Sequence, residues 1–576
     1  MIIQEKESIT GDLLDDIILR GTDDIDFHIN PKIQNNIKAS ILDSKSDLFE
    51  KAYQLILKHA KDSSIAIVLD DDMDGYTSSA LLYQFLKEIG IDSDVIIGEG
   101  KTHGLTDYVM NEVSEYDFVI IPDAGSNDIE RHTELLQDGK DFLVLDHHQV
   151  EDASLERLNH SDRGIVINNQ LININKEYTG VGMAFIFAKY INEKSGNRID
   201  VDKYLDLLAI GETGDVANTA DKEIRAYTVK GLQSINNLLI KAVMKRKSLP
   251  VLTGRDASFS IISLINAATR VGTKEEKEDI FNALVSTDET TYQVDVKKKN
   301  KKTGKFDKIP TQMTQHDVVA KQLETIKSRQ DRLVKKSMNE VEYVSNSNIV
   351  FGLMDDGVNS SITGIIAMKI MDKTNSPTII GKKYDGFYAG SARSKHNLKK
   401  ELLDTGLFEF VQGHNQAFGW KIKEENIVKF QNYIKNRVDS NKNKVYYVDK
   451  VYDRPTDNDI YMIERNKDVF GGKVMYPTLA YKNIKFNKEC INIKGSMTTF
   501  FDNGVSCVLF NSPEEIKDII ESNMENNQIT MDIVGSPRIN KFGNKEIPQI
   551  IIEQYEFVDN CDIIEEDMVN IWGIDF

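Results

Sequence analysis

Ile65-Ala66-Ile67-Val68-Leu69 runs straight into Asp70-Asp71-Asp72-Met73-Asp74-Gly75, and the segment Thr77-Ser78-Ser79 that follows has the composition of a helix start. A five-residue apolar run closed by carboxylates reads as a buried strand that opens into a polar loop. The same text recurs downstream: Ser93 to Gly98 reads SDVIIG, Phe118–Ile121 leads into Pro122-Asp123-Ala124-Gly125-Ser126, and Phe142–Leu145 leads into Asp146-His147-His148. Helical stretches such as TSSALLYQFLKEIG separate these runs. Strands alternating with helices predict a parallel α/β sheet, and in such sheets the carboxyl ends of the strands form the ligand crevice. Three acidic clusters are therefore expected along one sheet edge. Asp70, Asp72 and Asp74 stand at alternate positions and so can point one way into it, with Gly75 allowing a tight turn.

The chain around this segment has 576 residues, enough for several domains, with 40% hydrophobic and 28% charged residues, the proportions of a globular protein. Lys and Arg total 71 against 91 Asp and Glu, a net charge of −20, which excludes a basic coat over the whole surface and leaves room for a local basic groove. Cys490, Cys507 and Cys561 are widely spaced with no CxxC pair, so neither a disulfide framework nor a zinc ribbon is expected. The first residues carry Glu5, Lys6, Glu7 and Asp12 where a signal peptide needs an apolar core, and no apolar run reaches the roughly 18 residues of a membrane span. A cytoplasmic protein is expected. Its Lys-, Asn- and Ile-rich text with 10 prolines points to an AT-rich bacterial or phage genome.

Residues from about Tyr178 to Val285 read as helical, and VKKKNKKTGKFDK, with six lysines between Lys297 and Lys305, reads as an exposed loop. Thr314 to Val341, rich in charge and poor in helix breakers, predicts a long connecting helix. Mixed α/β text returns from Asn348 to Asn436, and the remainder alternates Val, Ile, Tyr and Phe runs with Asn, Gly and Pro, as in a small β domain. The resulting division is 1–290, 291–345, 346–440 and 441–576.

The chemistry lies in the clusters. Asp70, Asp72, Asp74, Asp123 and Asp146 crowded at one edge would repel without cations. A mixed Asp and His donor set suits divalent ions of the Mn²⁺, Mg²⁺ or Zn²⁺ kind. Asp215, in Gly211-Glu212-Thr213-Gly214-Asp215-Val216, closes a helical stretch and adds another carboxylate. Two metals sharing a carboxylate would activate water for hydrolysis of a phosphate ester, with no nucleophilic Ser or Cys required.

DxDxDG at Asp70–Gly75, PDxGS at Pro122–Ser126, DHH at Asp146–His148 and the later GETGDVAN together resemble the four motifs of the DHH phosphoesterase superfamily. Leu264 to Gly272, LINAATRVG, is similar to a segment of the RecJ branch, and Gly390-Ser391-Ala392-Arg393-Ser394 followed by Gly413-His414-Asn415-Gln416-Ala417-Phe418-Gly419 resembles the accessory DHHA1 domain. The likeness extends from about Leu19 to Ile422. It implies Asp72, Asp74, Asp123, His147 and Asp215 as ligands of two Mn²⁺ or Mg²⁺ ions, with Asp123 as bridge and Asp70 as a further ligand or as a support to the ligands. It implies Asp146 as the residue that orients the histidines and His148 as the group facing the scissile phosphate. Substrate binding would fall to Ser391, Arg393, Ser394, Gly413 and His414, with Asn266 and Arg270 from the RecJ-like segment. Gln412 and Ala392 depart from the usual glycines, and Asn359-Ser360-Ser361 stand where relatives often carry a His.

RecJ likeness implies an exonuclease that degrades single-stranded DNA from the 5′ end to mononucleotides in repair, recombination or replication, with an oligonucleotide-binding barrel after the DHHA1 part. A nanoRNase or cyclic-dinucleotide phosphodiesterase of the same superfamily is the alternative, and a replication scaffold with an inactive DHH fold is another. The acidic tail from Asp559 to Phe576 suggests docking on a single-strand-binding protein or another replication or recombination protein. No membrane partner is expected.

Overall fold

A computed structural model describes residues 1–32, 47–98, 103–151, 157–159, 161–172, 176–299, 304, 306–346, 349–354, 358–374, 376–394, 398–436, 445–510, 512–513, 515–542 and 545–558. The acidic tail and Cys561 lie outside the described residues, as do Lys301, Lys302, Lys305 and Lys395. The chain divides into two compact units. The larger comprises residues 33–217 and 226–440, the smaller 1–32, 218–225 and 441–576.

The larger unit carries a five-stranded sheet of β1 (Ile65–Leu69), β2 (Asp94–Ile97), β3 (Phe118–Pro122), β4 (Asp141–Asp146) and β5 (Gly164–Asn168). All neighbouring pairs are parallel, in the order β2-β1-β3-β4-β5. Every residue of β1, β3, β4 and β5 is buried, which is why these strands read as unbroken apolar runs: both faces are covered. The order reverses beside β1, so the crevice opens between the carboxyl ends of β1 and β3, where Asp70 and Asp123 stand.

Helix α1 (Met73–Glu88) starts at once, with the Asp72 carboxylate accepting the Gly75 N–H at 3.0 Å as its cap. Gly75 is therefore inside a helix and not in the expected turn. A Cβ there would stand 2.3 Å from the Asp70 carbonyl oxygen, so close backbone approach is what requires glycine. Helices α2 (Gly180–Lys194), α3 (Leu205–Gly214), α4 (Ser263–Val271) and α5 (Lys274–Val285) account for the expected helical stretch.

The lysine-rich segment departs from the expected loop. Lys297 to Lys299 belong to β6 (Thr291–Lys299), which pairs with β7 (Phe306–Thr314) in a two-stranded ribbon. Alternating Tyr292, Val294 and Val296 give the β pattern that the lysine content obscured. Thr314 then caps the expected connecting helix, α6 (Gln315–Glu340), in a reciprocal pair with Asp317.

Six strands follow: β8 (Glu342–Asn346), β9 (Ile349–Met354), β10 (Thr378–Tyr384), β11 (Phe387–Arg393), β12 (Phe408–His414) and β13 (Ala417–Lys423). They form a mixed sheet in the order β12-β13-β11-β10-β9-β8, and α7 (Thr363–Thr374) packs on it.

In the smaller unit, β14 (Lys450–Tyr452), β15 (Leu479–Asn487), β16 (Ile491–Lys494), β17 (Met497–Asp502), β18 (Val505–Phe510), β19 (Gln528–Phe542) and β20 (Lys545–Phe557) make a seven-stranded sheet. Its order is β14-β15-β19-β20-β18-β17-β16, with β14 and β16 as its edges among the described residues: the region is β-rich as expected, and its strands are ordered as an open sheet where the resemblance implied a barrel. Residues 1–32, expected with the first domain, are built into this unit. The strand Ile2–Glu5 pairs parallel with Val445–Val448, and Lys6 and Arg20 both bind Asp449, at 2.8 and 2.7 Å.

His28 is sealed into the same unit. Its Nε2 donates to the Val469 carbonyl at 2.9 Å, and its own carbonyl accepts from Arg225. Burial, then the Arg225 charge, lowers its pKa from 6.5 to about 4. The unfolded chain therefore takes up this proton first, and stability is lost as pH falls from 6.5 to about 4. We expect the unit to be about 2 kcal/mol less stable at pH 5 than at pH 7 on this account. Melting curves at the two pH values should show His28→Gln, which keeps a donor without titrating, losing much less. An equal loss in both proteins would disprove the assignment.

Candidate metal centre

Asp74, in the first turn of α1, accepts the Gly180 and Val181 N–H groups at 2.7 and 2.8 Å, so the amino end of α2 is aimed at a carboxylate. Asp123 follows β3 in a left-handed conformation, φ 65°, fixed by its N–H donating to the Leu145 carbonyl at 2.8 Å. Gly180 presses on it, since a Cβ there would lie 2.3 Å from Asp123 Oδ1. His147 Nε2 lies 3.2 Å from Asp123 Oδ1, 3.6 Å from Asp215 Oδ2 and 3.8 Å from Asp74 Oδ2. Two ligand groups result, Asp74-His147-Asp215 and Asp70-Asp72-Asp123, each with donor atoms within 4.8 Å of one another. Asp123 belongs to one and touches the other. A third group, Asp123-Asp146-His147-His148, overlaps them.

Both carboxylate oxygens of Asp123 and Nε2 of His147 are buried without a hydrogen-bond partner. Buried polar atoms are almost always paired, so three orphans converging on one point call for something to bind. Burial, then the charges of Asp74, Asp72 and Asp70, pushes Asp123 well above the carboxylate range. Burial with Asp215 and Asp72 pushes Asp74 up to about 8, and burial with Asp72 pushes Asp215 up to about 6. Burial, then His148, lowers His147 to about 4, which keeps its imidazole neutral and able to ligate. An oxygen-rich set with one imidazole fits Mn²⁺ or Mg²⁺.

Asp146 behaves differently. Burial works to raise it, but the His148 ring at 2.8 Å and the N–H groups of Ser126, His147 and His148 outweigh that and hold it ionised. It orients the His148 ring directly and meets His147 only through the backbone. In turn His148 is raised: burial opposes this, and the Asp146 hydrogen bond and charge prevail.

His103 was not singled out in the sequence, where a lone His in a KTHGL context gives no signal. Its Nδ1 lies 3.1 Å from Asp70 Oδ1, its ring sits 4.9 Å from that of His148, and the Asp70 hydrogen bond raises it to about 9.

Arg270, on α4, and Arg393, at the end of β11, are the cationic part. Burial, then the charge of Arg270, lowers the Arg393 pKa, and burial lowers that of Arg270 while Asp72 opposes. Arg393 feels the charge of Arg270, and Arg270 that of Asp72, so both guanidiniums bring positive charge to the neighbourhood of the carboxylates. The Arg270 carbonyl accepts from Ser361 Oγ at 2.6 Å, while Arg270 Nη1 donates to the Asn266 carbonyl at 3.1 Å. Asn266 Oδ1 is buried without a partner. Ser391 Oγ lies 2.9 Å from Thr363 Oγ1, and a Cβ on Gly364 would stand 2.6 Å from Arg393 Nη2. Ser394 is buried, its N–H donating to the Gln416 carbonyl at 2.9 Å. Gly413 adopts φ 120°, and His414 shares a cross-strand row with Ala417 and Arg393; its side chain lies outside the described residues.

Residues 64–212 match the model described as the DHH family, N-terminal domain. A protein of Bacillus subtilis (strain 168), assigned by its name, provisionally, as the SPbeta prophage-derived single-strand DNA-specific exonuclease YorK, is 29% identical over 92% of this chain and 94% of its own. The single-stranded-DNA-specific exonuclease RecJ of Thermus thermophilus is 24% identical over 62% of this chain and 49% of its own. Among solved structures, RecJ of Thermus thermophilus in complex with Mn²⁺ superposes with a TM-score of 0.66 at 17% identity, covering 92% of this chain and 74% of that one. Among the described residues no helix is long and apolar enough to cross a membrane.

Proposed function

We propose that the chain is a metal-dependent exonuclease that hydrolyses single-stranded DNA from its 5′ end to mononucleotides, acting in the cytoplasm in DNA repair, recombination or replication. The observation that carries this reading is the pair of ligand groups meeting at the unpartnered carboxylate of Asp123. Full-length similarity to a protein named a single-strand DNA-specific exonuclease supports the substrate class. Bound Mn²⁺ or Mg²⁺ would lower the pKa of a water and neutralise charge on the phosphate.

The chain's own residues do the rest. Asp74, His147 and Asp215 would hold one ion and Asp70 and Asp72 the other, with Asp123 available to both. Arg270 and Arg393 bind the phosphate and fix its approach. His148, its ring set by Asp146, offers a proton donor to the oxygen on which charge develops. Docking on a single-strand-binding protein through residues 559–576 is part of the same proposal.

Strands blocked at either end test the reaction, substrate and polarity together. A 3′-blocked strand should be digested with Mn²⁺ and a 5′-blocked strand spared; the reverse pattern would overturn the polarity, and cleavage of dinucleotides alone would favour the nanoRNase alternative. The arginine pair makes a further prediction. Arg270→Ala and Arg393→Ala should each lower kcat/KM about 10–100-fold. Since each relieves repulsion on the other, the double variant should lose less than the product of the two, read from steady-state kinetics at saturating metal.

A further inference from the structure

The ribbon of β6 and β7 is left without a role by the hydrolytic centre. Its nine residue pairs run from Thr291↔Thr314 to Lys299↔Phe306, and among the described residues no third strand joins it. At about 3.4 Å per residue it is roughly 30 Å long. Residues directly opposite share a face. One face therefore carries Gln293 with Gln312, Asp295 with Pro310, Lys297 with Lys308, and Phe306, so one carboxylate neighbours the lysine pair on the side away from Phe306. Lys297 and Lys308 are both exposed and directly opposed, an arrangement of like charges that an anion lying across it would relieve. A two-stranded ribbon is marginal on its own, so the unfavourable pair is significant. Two residue pairs further along, on the same face, Phe306 is 67% exposed.

Paired cations beside an open aromatic ring match a sugar-phosphate backbone with an unstacked base, the chemistry of single-strand binding. The sequence of the segment points the same way, with Lys298, Lys299, Lys301, Lys302 and Lys305 in a chain of net charge −20. The ribbon leads directly into the capped start of α6, so it is anchored on a rigid element.

We infer that the β6–β7 ribbon is a nucleic-acid-binding arm that holds the backbone of a single strand at Lys297, Lys308 and Phe306. This rests on the reading of the chain as a single-strand nuclease, but it is tested by binding alone. The full chain is titrated against a fluorescein-labelled 40-nucleotide single strand in EDTA over a range of KCl, with anisotropy as the readout. Lys297→Gln/Lys308→Gln should weaken binding about tenfold and reduce the slope of log K against log[salt] by about 1.4, or 0.7 per lysine. Phe306→Ala should weaken binding about tenfold with the slope unchanged. Lys297→Arg/Lys308→Arg should bind as the unsubstituted protein does. With Mn²⁺ present, cleavage of a tetranucleotide should be the same in all variants. An unchanged affinity and slope in a Gln variant that melts normally would overturn the inference, as would equal losses on the long strand and the tetranucleotide. Failure of the unsubstituted protein to cut any strand would overturn the proposed function and leave the binding result to be read by itself.

Discussion

Replacing Asp123 with Asn should abolish hydrolysis, by on the order of 10³-fold or more, while making the metal-free protein more stable. The two effects have one cause. Asp123 is buried, both its oxygens lack partners, and burial together with Asp74, Asp72 and Asp70 pushes its pKa far above that of an unfolded carboxylate. A carboxyl with a raised folded pKa opposes folding at every pH above its unfolded value, so at pH 7 it is a cost. The amide has the same shape, carries no charge and can donate to the surrounding carboxylates. Asn also tolerates the left-handed conformation at φ 65°, so the backbone is not disturbed. A gain of roughly 1–3 kcal/mol is expected without metal. Calorimetric melts should show Mn²⁺ raising the Tm of the unsubstituted protein strongly and that of Asp123→Asn hardly at all. Retained hydrolysis, or an unchanged response to Mn²⁺, would mean that Asp123 is not the shared ligand.

Strand-end carboxylates were legible in advance because a fully buried parallel strand must be an apolar run, so the first acidic residue after it marks the strand's end. That placed Asp70, Asp123 and Asp146 at one edge from sequence alone. The partners of these groups were not legible, since they come from segments far away in the chain. Gly180 and Val181 are over 100 residues from Asp74, whose carboxylate they hold. His103 sits in a segment with no recognisable pattern. The ribbon was misread because six lysines outweighed the alternation of Tyr292, Val294 and Val296. The smaller unit gathers residues 1–32, 218–225 and 441–576, an assembly that no local signal announces.

Asp71 was the hardest residue to read. Alternation assigned Asp70, Asp72 and Asp74 to the crevice and gave Asp71 no role. Its carboxylate meets Lys277 Nζ at 2.8 and 2.9 Å, and both side chains are buried. The Tyr76 hydroxyl donates to the Lys277 carbonyl at 3.4 Å, tying α1 to α5 around the pair. Lys277→Met would take the Lys277 counter-charge away from a buried carboxylate, and about 3–5 kcal/mol of stability should be lost. Adding Asp71→Leu should restore most of it, because a buried ion pair exchanged for apolar side chains of similar size is often neutral or better. The single variant should also bind Mn²⁺ more weakly, since Asp71 fixes the loop on which Asp70 and Asp72 stand while touching neither metal nor substrate. Denaturant melts of the two single variants and the double variant, with Mn²⁺ titrations on each, separate these effects. A loss below about 1 kcal/mol for Lys277→Met would show that Asp71 finds its compensation elsewhere, and that this ion pair does not hold the ligand loop.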